Sequence, residues 1–136
     1  MTVLRAHAHS IRAHVHNIGQ RLSRVLIIAV MAALAVAING LIDEGVSTYK
    51  AGDATGGKDK VNDAYYKHYE ITGMEKQVMA RISGARVSQV EMEFSLLKKA
   101  MTDGDSAGVD SHATTLKQYM VEDGASLDGV APGSAA

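Results

Sequence analysis

Residues 25–38, VLIIAVMAALAVAI, are apolar without a break, and the run continues through Asn39 and Gly40 to Ile42. At ~1.5 Å per residue, a helix of this length reaches about 27 Å, close to the ~30 Å hydrocarbon core of a bilayer. The run predicts one transmembrane helix over residues 25–42. Upstream, Leu4, Ala8, Ile11, Val15, Ile18, Leu22 and Val25 alternate in steps of four and three. That heptad stripe predicts an amphipathic leader helix over residues 1–24, running into the span.

Beyond the span the pattern turns polar. Residues 43–59 contain GVSTYKAGDATGGKD, rich in Gly, Ser, Thr and Asp, and read as a linker. Helical periodicity resumes at Lys60, with Asp59 as the expected cap. Val61, Ala64, Tyr65, His68, Thr72, Met79 and Ile82 fall broadly on one side, with Glu75 intruding, and Ser83-Gly84 is a break. Residues 85–101 carry two apolar faces. Val87, Val90, Phe94, Leu97 and Met101 form one; Ala85, Met92 and Leu96 form the other. A helix apolar on two sides calls for neighbours on two sides. Asp103-Gly104-Asp105 is a turn and a cap. A last helix over 106–122 bears the stripe Val109, Ala113, Leu116 and Met120, with Asp123-Gly124 expected to end it. Residues 123–136 read as a flexible tail. No period-two pattern appears, so the fold class is all-α. A basic leader and one transmembrane helix precede an exported segment, 60–122, built as a helical hairpin or a small three-helix unit.

Charge adds orientation. Arg5, Arg12, Arg21 and Arg24 precede the span with no acid among them, and all 15 acidic residues follow it. This is the positive-inside pattern. It places the N-terminus in the cytoplasm of a bacterium, the helix in the inner membrane and the C-terminal segment in the periplasm or outside. The four arginines are expected to meet anionic lipid at the cytoplasmic surface. Ala35-Val36-Ala37 would suit signal-peptide cleavage, but the basic region before the apolar run is unusually long, so an uncleaved anchor is expected. The chain has no Cys, which excludes disulfides and thiolate chemistry.

Candidate chemistry is sparse. His7, His9, His14 and His16 include no pair three or four apart, so a helical leader cannot join two of them on one metal. Met74, Met79, Met92, Met101 and Met120 share no repeating spacing that would suggest a copper site. Glu91 and Glu93 face different sides of a helix and make no acid/base pair. Gly56-Gly57-Lys58 lacks phosphate-loop spacing, and His112 has no evident triad. The basic leader has no aromatic platform, so nucleic-acid binding is not expected. Tyr65, Tyr66, His68 and Tyr69 form the densest aromatic cluster, read as a covered helix face or a contact for a protein, lipid headgroups or a ligand. No catalytic residue, metal or cofactor is expected.

The span carries Ala29, Ala33 and Ala37 at four-residue spacing, a face that lets another helix approach closely. Together with Met92, Phe94 and Leu96, these residues are the expected partner contacts. The resulting expectation is a non-catalytic, single-pass accessory or scaffold subunit that assembles with other membrane proteins or with copies of itself. The alternatives are a membrane-anchored sensor or transducer with an exported helical domain, and a small pore-forming or lysis-type membrane protein.

Overall fold

A computed structural model describes residues 30–129. Helix α1 spans Val30–Lys50. Helix α2 spans Ala54–Asp63 and passes into a π-helical turn, Ala64–Glu70; α3 is Met74–Arg81, α4 is Gly84–Asp103 and α5 is Ser106–Leu127. No strand occurs among the described residues. The α2–π–α3 arm acts as one bent helix, so the architecture is an up-down-up-down bundle of four helical arms. Helix α1 is long and apolar enough to cross a membrane.

The expected linker over 43–59 is not one. Helix α1 runs through it to Lys50, and α2 starts at Ala54, capped by Asp53, whose Oδ1 accepts from Gly56 N at 2.8 Å. The glycines that suggested a loop are a helix crossing instead. A Cβ on Gly45 would sit 2.9 Å from the Gly57 carbonyl oxygen, and one on Gly57 would sit 2.8 Å from that of Gly45. Only glycine lets these backbones come so close. Asp59 is thus an exposed residue inside α2 rather than its cap.

The π turn corrects the expected face of the arm that contains α2 and α3. Its i→i+5 bonding, seen in Ile71 N to Tyr66 O at 3.3 Å, widens the turn. Ala64 and Tyr69, five apart, therefore both face the core. Downstream the register is shifted, so Met74 and Val78 are buried while Met79 and Ile82 are exposed. Gly73 closes this stretch with φ +87°, a left-handed conformation suited to glycine, and starts α3.

Helices α4 and α5 form the expected hairpin. Val87, Val90, Phe94, Leu97 and Met101 pack with Val109, Ala113, Leu116 and Met120, all buried. Gly104 makes the turn, and Asp105 caps α5 through Gly108 N at 2.9 Å. The second face of α4 is not covered: Met92 is 54% exposed and Leu96 is only partly buried. Helix α5 does not stop at Asp123-Gly124. It continues to Leu127, and Asp123, Gly124, Leu127 and Asp128 are buried, so the start of the expected flexible tail is part of the bundle.

Helix α1 supplies the fourth wall. Ala35, Ile38 and Ile42 are buried against the hairpin. Its contacts run the length of α5 in the opposite sense. Asp128 Oδ1 and Oδ2 accept from the amides of Met31 and Ala32 at 3.3 and 2.9 Å. Asn39 Nδ2 donates to the Lys117 carbonyl at 3.2 Å, Lys117 pairs with Asp43 at 2.6 Å, and Lys50 pairs with Asp110 at 2.7 Å.

Candidate functional site

Three features stand apart from plain core packing: the outward side of α1, the aromatic cleft on the π turn, and a buried charge cluster below it. The expected partner residues divide among them. Ala33 and Ala37 lie exposed on α1, beside Val36 at 72% exposure and Gly40. Ala29 and the four leader arginines, Arg5, Arg12, Arg21 and Arg24, lie outside the described residues. Met92 is exposed on the outer side of α4 and Leu96 partly so. Phe94 departs from expectation. It is buried, with its ring centroid 5.2 Å from that of Tyr65 and 6.1 Å from that of Tyr69, and it serves this chain's own core.

The π turn shapes the cleft. By widening the backbone it sets Tyr65 and Tyr66 edge to face, 4.8 Å apart, above Phe94. Tyr65, Tyr66, Glu91, Phe94, Ser95 and Lys98 line a space of about 240 Å³. That is below the ~300–1,000 Å³ of ordinary ligand pockets. The Tyr65 hydroxyl donates to Glu91 Oε1 at 3.3 Å, and Lys98 Nζ donates to Asn62 Oδ1 at 2.9 Å. Burial, then the nearby carboxylates of Glu75 and Glu91, pushes the Tyr65 phenol well above its ordinary range, so it stays a neutral donor.

No protein family, no curated protein and no solved structure matches the chain.

Below the cleft, Arg86 enters from the first turn of α4. Its Nε donates to Asp123 at 2.8 Å and its Nη2 to Glu122 at 2.6 Å, while its guanidinium lies 4.1 Å from the Tyr119 ring centre. Desolvation opposes the arginine's charge, but the hydrogen bonds to Asp123 and Glu122 outweigh it and hold its pKa above the usual value. Burial pushes the Asp123 carboxyl up despite the arginine beside it. Glu122, more open, is held low by Gln118 and Arg86. Tyr69 Oη, Glu75 Oε2 and Asp123 Oδ2 are buried without a hydrogen-bond partner. Desolvation, then Glu91 and Glu70, raises the pKa of Glu75. Arg86 with Asp123 is a structural tie between α4 and α5. The signal for it was in the sequence only as one Arg early in α4 and two acids late in α5, too far apart to pair without the hairpin register.

Among the described residues no group of three His, Asp or Glu side chains is placed to hold a metal. His112 pairs with Glu93 through Nδ1 at 2.8 Å and ties α5 to α4. Met74, Met101 and Met120 are core residues, while Met79 and Met92 are exposed.

Proposed function

We propose that the protein is a non-catalytic, membrane-associated accessory or scaffold subunit that assembles with other membrane proteins or with copies of itself. The observation that carries this reading is the outward side of α1. Ala33, Val36, Ala37 and Gly40 give a smooth apolar strip on a helix whose opposite side is already used by the bundle. Small residues on such a strip let a second helix pack closely. The bacterial inner membrane is the location the basic leader supports. The leader arginines act there on anionic lipid.

The test is a photo-crosslinking residue at Val36 in the full chain, in membranes, followed by purification in mild detergent and mass spectrometry. A defined heterologous band or a single homo-oligomeric band from position 36, absent from buried position 38, is the expected result. A lone monomer with no crosslink would refute the assembly role. A long self-crosslinked ladder with toxicity on expression would favour the pore-forming reading.

A sensor is the second reading, and the cleft at Tyr65 and Tyr66 is the observation that favours it, because π turns recur at functional sites. It predicts a small ligand that raises the melting temperature and loses that effect in Ser95→Trp, which fills the cleft.

A further inference from the structure

The expected span and the closed bundle make competing demands on the same residues. Residues 31–42 pack along the half of α5 that carries Lys117, Glu122, Asp123 and Asp128. Bringing that pair of helices into hydrocarbon would carry the charges along, at ~2.5–3.5 kcal/mol for each at the bilayer centre. The amides of Met31 and Ala32 donate to the Asp128 carboxylate, which would have to enter the hydrocarbon with them.

The bundle also has two unlike ends. At one end lie Lys50, Gly52 and Asp53 and the turn Asp103-Gly104-Asp105, exposed and polar. At the other lie Val30, 57% exposed, and the tip between α3 and α4 with Met79 at 52% and Ile82 at 37%. These share a level. Arg86 binds Asp123, and a Cβ on Gly124 would lie 3.2 Å from that of Ala35. Val30 and Ile82 each lie roughly one helical turn before that layer. Arg81 is exposed at this tip. The acids late in α5 and at its C-terminal end are engaged within the bundle: Asp123 and Glu122 with Arg86, and Asp128 with the α1 amides. In the sequence, the apolar residues 25–29 precede Val30, with Arg21 and Arg24 before them.

We propose that the closed bundle meets an anionic bilayer end-on, with Val30, Met79 and Ile82 at the acyl boundary, Arg81 among the headgroups, and residues 31–42 standing outside the hydrocarbon. This rests on the membrane association proposed above and assigns the surface that makes it. Exposed apolar side chains with a neighbouring arginine are the chemistry an anionic interface takes.

The test places single cysteines in the full chain, which has none of its own. The variants are Ile82→Cys, Ala51→Cys, Val36→Cys and Ile27→Cys, each carrying an environment-sensitive fluorophore. The protein is reconstituted in phosphatidylcholine–phosphatidylglycerol vesicles containing nitroxide lipids of known depth. Shallow nitroxides should quench the probe at 82 severalfold more than the probe at 51, with the probe at 36 no more quenched than at 51. Met79→Cys repeats the measurement should the label at 82 disturb folding. Quenching at 27 with none at 82 or 79 would leave membrane association standing and overturn the end-on contact. Strong quenching at 36 by deep nitroxides would put residues 31–42 in hydrocarbon and overturn it too. No quenching at 27 would remove the membrane reading itself, and the proposal with it.

Discussion

Helix α1 has two apolar sides that meet different surroundings. The inner side, Ala35, Ile38, Ile42 and Gly45, is buried against α5 and α2 and completes the core. The outer side, Ala33, Val36, Ala37 and Gly40, is as apolar but is exposed among the described residues. An all-round apolar helix is what a membrane span looks like in sequence, and also what a bundle helix with one side reserved for a partner looks like. The difference between the sides teaches that continuous hydrophobicity reports two jobs at once and does not divide them.

The comparison breaks most visibly if the inner side is removed altogether. A chain of residues 45–136 lacks Ala35, Ile38 and Ile42, leaving the hairpin core open. It should lose cooperative thermal unfolding by circular dichroism, whereas the full chain in mild detergent should keep it. Next, Ile38→Ala should cost about 2–5 kcal/mol in chemical denaturation, the usual range for a large buried aliphatic. Asp128→Ala, which strands the Met31 and Ala32 amides, should cost about 1–3 kcal/mol in the same assay.

A smaller effect comes from the acids of α3 and α5. Glu75 and Asp123 both have pKa values raised by burial. Each therefore contributes stability that is complete below its unfolded pKa and is lost as pH rises through its folded one. Glu122, held low, contributes in the opposite sense and loses its part as pH falls. Glu75→Gln should make the bundle more stable at neutral pH and flatten the loss of stability on raising pH from the acid side, read from urea midpoints across that range. The least effect belongs to the outer side: Val36→Ala should change stability by no more than about 0.5 kcal/mol, as exposed positions do. The same substitution should weaken any partner crosslink.

The sequence made the α4–α5 hairpin legible because its stripes keep helical spacing and its turn residues, Gly104 and Asp105, sit where a cap requires them. The arm from Ala54 to Arg81 was less legible. A π turn adds a residue per turn locally, so period-3.6 reading put Met79 and Ile82 inside in place of Met74 and Val78. Gly45 and Gly57 look like loop residues because their use, a backbone-to-backbone crossing, depends on a neighbour remote in sequence. Of the expected contact residues, Ala33, Ala37 and Met92 are on the surface. Phe94 went to the core, since an aromatic on the more apolar face of a two-faced helix is drawn to the better-filled side. The Tyr65 cleft was visible as a dense aromatic run, but its shape needed the π turn.

Residues 31–42 lie against α5 in the folded protein, and a disulfide reports that directly. A Cβ built on Gly124 lies 3.2 Å from the Ala35 Cβ, near the Cβ separation of about 3.5–4.5 Å that a disulfide spans. In the full chain in native membranes, Ala35→Cys with Gly124→Cys should oxidise to an intramolecular crosslink, seen as a faster band on a non-reducing gel. Ala33→Cys with Gly124→Cys should not form this band. Absence of the 35–124 crosslink under conditions that oxidise both thiols would contradict the packed position of α1 and return residues 25–42 to a membrane span separate from the bundle.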